Sequence, residues 1–146
     1  MDRGAAVALT AVAGGLVALQ APINSGLGKA VGTWAAASIS FLVGTAALLL
    51  IAAINASDVH LGGAGGLAWY YFTGGLLGAA YVSTVLVSVR TLGAGGVTAA
   101  TIAGQLSTAV VIDRLGILGL TQKPLSVARV VGVVLLALGV FLIVRE

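Results

Sequence analysis

The sequence has no cysteine and a single histidine, His60. Disulfides and thiolate metal sites are thereby excluded, and no Cys/His cluster exists to hold a metal, so no cofactor is expected. Charge is scarce as well. Four acidic and seven basic residues make up 8% of 146 residues, where an average soluble domain carries about 25%. So few charges cannot cover a surface that faces water. The bases are scattered singly, so the net charge of +3 marks no nucleic-acid partner. No acidic residue falls inside a long apolar run, so the buried carboxylate that a proton-coupled antiporter usually needs is missing. Asp113 comes nearest; an interfacial pair with its neighbour Arg114, orienting a helix end, is favoured over a proton carrier. With no phosphate-cradling loop and no nucleophile–base pair, the chain is not expected to be an enzyme.

What is present is apolar. The apolar fraction is 60% and the mean hydropathy +1.17, which predicts an all-α integral membrane protein in contact with lipid. The opening "MDRGAAVALTAVAGGLVALQA" superficially looks like a signal peptide. Asp2 offsets Arg3 and no clean small-x-small site follows, so it is read as a retained first helix. A hydrocarbon core of about 30 Å needs roughly 20 helical residues. Five segments qualify, over about residues 4–25, 33–54, 66–89, 95–112 and 127–144 of one transmembrane domain covering 1–146. The connections "GLGKAVG", "NASDVHLGGAGG", "RTLGAG" and "DRLGILGLTQKPLS" carry the turn-formers. Trp34 and "WYYF" (69–72) open spans, as interfacial aromatics do.

Five spans place the termini on opposite sides. Arg3, Arg114, Lys123 and Arg129 then share one side, and Lys29, Arg90 and Arg145 the other. A split this even gives the positive-inside rule little to act on, and dual orientation is expected.

Polar residues lie in stripes. At about 100° per residue, Tyr70, Thr73, Gly74, Tyr81, Thr84 and Ser88 share one arc of the third span, and Thr98, Thr101, Gln105 and Thr108 one arc of the fourth. The stripes line a polar cavity or pack helix on helix; Gln105 and Tyr81 are large for close packing and favour the cavity. Gln20 and Asn24 share a face of the first span. Pro22 between them frees the carbonyl near Ala18. Gln20 is read as cavity-lining. Pro22 and Asn24 fit either a broken helix beside a cavity or a helix ending at the interface. Gly74 and Gly75 are a candidate hinge midway along the third span.

The blocks "GGLVALQAPINSGLGKAVG", "WYYFTGGLLGAAYV", "GQLSTAVVIDRLGILG" and "PLSVARVVGVVLLALGVFL" resemble, in this order, the YdcZ-type family of the drug/metabolite transporter superfamily. The resemblance implies a five-helix half-transporter of a prokaryotic cytoplasmic (inner) membrane, working as an antiparallel pair. It also implies a cavity lined mainly by the first, third and fourth helices. The related small multidrug exporters carry a glutamate in the first helix; this chain has none there. The expected function is transport of a small solute by alternating access, with a second copy in the opposite orientation as partner. Substrate contacts are expected from Gln20, Asn24, Tyr81, Thr84, Gln105 and Thr108, with Pro22, Gly74 and Gly75 as hinges. The alternative is a non-transporting membrane subunit, or a half-transporter paired with a second chain.

Overall fold

Asp2 starts the first helix: its Oδ1 accepts a hydrogen bond from the Ala5 backbone N–H at 2.9 Å, satisfying a donor that a helix start leaves unpaired. The computed structural model describes residues 2–145. Its regular elements are all helical. They are α1 (Arg3–Val31), α2 (Thr33–Ile54), α3 (Gly74–Leu115) and α4 (Val127–Val144), with short 3-10 turns at Ala56–Asp58, Leu61–Gly66 and Trp69–Thr73. Among the described residues four segments are long and apolar enough to cross a membrane: Arg3–Val31, Thr33–Ile54, Trp69–Leu115 and Val127–Val144. Most of their large apolar side chains point outward. A helix closes its backbone hydrogen bonds within itself, so such a surface suits lipid.

The first helix runs past the predicted end near Ser25 to Val31, straight through Pro22. The missing N–H costs one hydrogen bond, yet the following turns are held by packing, since Asn24, Ser25 and Gly28 are all buried. Gly32 alone joins α1 to α2, at φ 87° and ψ 156°, a region open in practice only to glycine. The third helix starts later than the sequence suggests. The glycine-rich stretch before it forms 3-10 turns, so Gly74 and Gly75 lie in the first turn of α3, not midway along a span. The predicted connection at 90–94 shrinks to one non-helical residue, Gly93, at φ 67° and ψ 172°.

The chain forms two compact units divided between Arg90 and Thr91. In the first, α1 and α2 make a tight antiparallel hairpin that packs on the first arm of α3. Leu86 and Ala36 are wholly buried, with Ala37 and Val82, and Leu27, Phe41 and Tyr81 pack around them. Gly28 permits the approach: a Cβ there would stand 3.3 Å from both Leu86 Cδ2 and Arg90 Nη2 and 3.7 Å from the Ala36 Cβ. The Arg90 Nη2 also donates to Thr33 Oγ1 at 3.2 Å.

In the second unit, the second arm of α3 and α4 run antiparallel. A Cβ on Gly96 would stand 3.6 Å from Val144 Cγ2, and near the other end Arg129 Nη1 lies 3.1 Å from Asp113 Oδ2. Lys123 Nζ lies 3.7 Å from the same oxygen, and the Lys123 N–H donates to the Asp113 carbonyl at 2.8 Å. Arg114, the pairing expected for Asp113, is not its partner; successive residues on a helix do not face one another. The Arg114 carbonyl instead accepts from Gln122 Nε2 at 2.9 Å. The Ser126 Oγ caps α4 by accepting from the Arg129 N–H at 3.3 Å.

Candidate functional site

Helical spacing sets Gln20 and Asn24 one turn apart on α1, and α3 brings Tyr81 to the same place. These three side chains line a small crevice with Val85 and Leu86. Asn24 is buried and Gln20 and Tyr81 are half-buried. The Asn24 Nδ2 donates to Ser40 Oγ on α2 at 3.2 Å. Asn24 and Ser40 lie at equal depth in the hairpin, each about 12 Å of helix from Gly32 at roughly 1.5 Å per residue. An intramembrane hydrogen bond of this kind contributes about 0.6 to 2 kcal/mol. The crevice measures about 10 Å³, at the lower limit for one water molecule.

Thr84 is not in this crevice. It lines a groove of about 770 Å³ between α2 and the first arm of α3, and its hydroxyl donates to the Ala80 carbonyl at 2.9 Å. The crevice takes Tyr81, Val82, Val85 and Leu86 from α3, whereas the groove takes Ser83, Thr84, Val87 and Ser88. At about 100° per residue these sets are centred on opposite helix faces. The stripe expected to face one cavity therefore divides between two hollows. Gln105 and Thr108 lie on the second arm of α3, exposed on the surface of the second unit. Pro22 is exposed on α1, and Gly74 and Gly75 are exposed at the start of α3.

Sequence reasoning missed Ser40 as the partner of Asn24. The available signal was the equal spacing of both residues from Gly32, which is a hairpin register once the turn is known to be one residue long. It also missed the α2 wall of the groove, although Trp34, Ala37, Ser38 and Phe41 follow the i, i+3, i+4, i+7 pattern of one helix face. Among the described residues, no group of three or more His, Cys, Asp and Glu side chains could hold a metal ion.

A family model described as "Putative inner membrane exporter, YdcZ", of the drug/metabolite transporter type, matches residues 5–142. No curated protein and no solved structure matches the chain.

Proposed function

Because the chain belongs to the YdcZ family of the drug/metabolite transporters, a multi-pass inner-membrane protein rather than an enzyme, we propose that it exports a small solute by alternating access as an antiparallel homodimer. The two arms of α3, residues 74–92 and 94–115 on either side of Gly93, are each about 20 residues, long enough to serve as separate spans. Taken so, they support a five-span reading with the termini on opposite sides.

The observation that carries the reading is the meeting of Gln20, Asn24 and Tyr81 at one crevice of about 10 Å³ in the first unit. Polar side chains at depth in a bilayer are costly and mark solute pathways. At this crevice one copy alone offers room for no more than a water, so a second copy in the opposite orientation is taken to complete the site. Gln105 and Thr108 supply further polar contacts in the assembled pair, whereas Thr84, on the opposite face of α3, faces the groove instead. Pro22 and the Gly74–Gly75 pair provide compliance, and Gly93 joins them on the strength of its backbone. Inverted copies rocking about such a midplane site are a general route to alternating access.

The test is reconstitution of the purified chain in liposomes, with a thermal-shift screen of small amines, amino acids and metabolites. A ligand of the native fold raises the melting temperature by mass action, and a hit should be moved across the bilayer. Gln105→Leu should lose that transport while keeping the wild-type melting temperature and dimer. Normal transport by Gln105→Leu removes Gln105 from the site; a chain that binds but never moves any hit favours the non-transporting subunit.

A further inference from the structure

The groove of about 770 Å³ on the face of α3 opposite the Gln20–Asn24–Tyr81 crevice has a chemistry of its own. Its α2 wall carries Trp34, Ser38 and Phe41, and its α3 wall Ser83, Thr84 and Ser88, with small and aliphatic residues between. Phe41 closes it inward, with its Cζ 3.4 Å from the Cβ position of Gly78. The volume lies in the range of about 300 to 1,000 Å³ typical of small-molecule sites.

The lining dictates what fits. It contains no Lys, Arg, His, Asp or Glu, so a cation or an anion would enter without a counter-charge, which is costly at membrane depth. Two hydroxyls have committed their hydrogens to their own helices: Ser38 Oγ donates to the Trp34 carbonyl at 3.0 Å and Thr84 Oγ1 to the Ala80 carbonyl at 2.9 Å. Their oxygens can then only accept. The hydroxyls of Ser83 and Ser88, both half-buried, have no hydrogen-bond partner among the described residues and can donate or accept. Trp34 and Phe41 add flat apolar surface for a ring.

We propose that this groove binds an uncharged aromatic amphiphile bearing a hydroxyl, whose ring lies against Trp34 and Phe41 and whose O–H is taken up by the serine and threonine hydroxyls. A lipid acyl chain fills the volume but offers no partner to the hydroxyls of Ser83 and Ser88. The proposal lies within one unit of one chain and does not depend on alternating access.

Trp34 reports on its own groove. In the Trp69→Phe chain it is the sole tryptophan, and bromine atoms quench it on contact. The full-length variant in phosphatidylcholine vesicles is titrated with 4-bromobenzyl alcohol and, separately, with its methyl ether, which lacks the donor. The alcohol should quench saturably and bind about tenfold more tightly than the ether, as expected for one hydrogen bond of roughly 1.4 kcal/mol. The added changes Ser83→Ala and Ser88→Ala should erase that difference while the melting temperature stays unchanged. Equal, non-saturating quenching by alcohol and ether overturns the site, because it reports only partition into the bilayer. Strong quenching in vesicles of dibrominated phosphatidylcholine that the unbrominated alcohol does not relieve assigns the groove to an acyl chain and overturns it. A Trp34 that none of these reagents quenches is covered by protein, which overturns it in favour of a second copy.

Discussion

Asn24 shows how a single polar residue is made safe in an apolar hairpin. Its amide reaches Ser40 Oγ at 3.2 Å, so Asn24→Ala should cost about 0.6 to 2 kcal/mol. Ser40→Ala should cost a similar amount, and the double variant should cost less than the sum of the two, because both remove the same bond. Chemical or thermal unfolding in detergent micelles checks this; additive losses would show that the pair does not interact. Leu86 is wholly buried and sits where α1, α2 and α3 meet, so Leu86→Ala should cost about 2 to 5 kcal/mol, more than any of these changes. That Gln20 and Asn24 share a face was legible from their spacing. That Tyr81 joins them and Thr84 does not was illegible, because the boundary between two neighbours of one helix depends on where α1 and α2 pack. An arc of about 100° is too coarse to place it.

Among the elements, α2 and α4 are the simplest, each an uninterrupted apolar run of helix. The long α3 is different. Its pattern stays helical through residues 90–96 apart from Gly93, whose φ of 67° and ψ of 172° fall where essentially only glycine goes. Composition marks a glycine-rich stretch there but cannot say which glycine turns the chain. Gly93→Ala should therefore destabilise by about 1 to 3 kcal/mol. Gly74→Ala, at φ −54° and ψ −41°, should be neutral or stabilising by up to about 1 kcal/mol. Melting curves of the two variants distinguish the positions, and equal losses would mean that Gly93 has no special backbone. Because Gly74→Ala keeps the fold, any loss of transport it causes reports on motion rather than on assembly. The loop between α3 and α4 is held by Asp113 contacts to Lys123 and Arg129 at 3.7 and 3.1 Å. These groups are partly exposed, so Asp113→Asn should cost about 1 kcal/mol or less, and the loss should shrink at high salt.

For the molecule as a whole, membrane residence follows from composition and from family membership, whereas orientation depends on a small imbalance. In the proposed five-span arrangement four bases would lie on one side and three on the other. Adding two lysines at Ser57 and Ala56 should force one orientation, because charge bias decides topology once it is large. A C-terminal reporter should then appear on a single side, and transport should vanish from cells making only that variant. It should return when a copy biased the opposite way is made alongside. Transport by the singly oriented chain alone would remove the antiparallel homodimer. The absence of cysteine makes the chain convenient for such work, since any cysteine introduced to report sidedness is the sole thiol.

The single residue between α1 and α2 also bears on how the protein is made. With no loop to wait in the aqueous channel, the nascent first helix cannot settle in lipid long before the second follows. If it did, the Asn24 amide would lie in oil without the Ser40 oxygen that answers it. Leaving the insertion machinery side by side, as one hairpin, spares the amide that exposure, a gain of about 0.6 to 2 kcal/mol that makes a tertiary contact favourable from the chain's first entry into its bilayer.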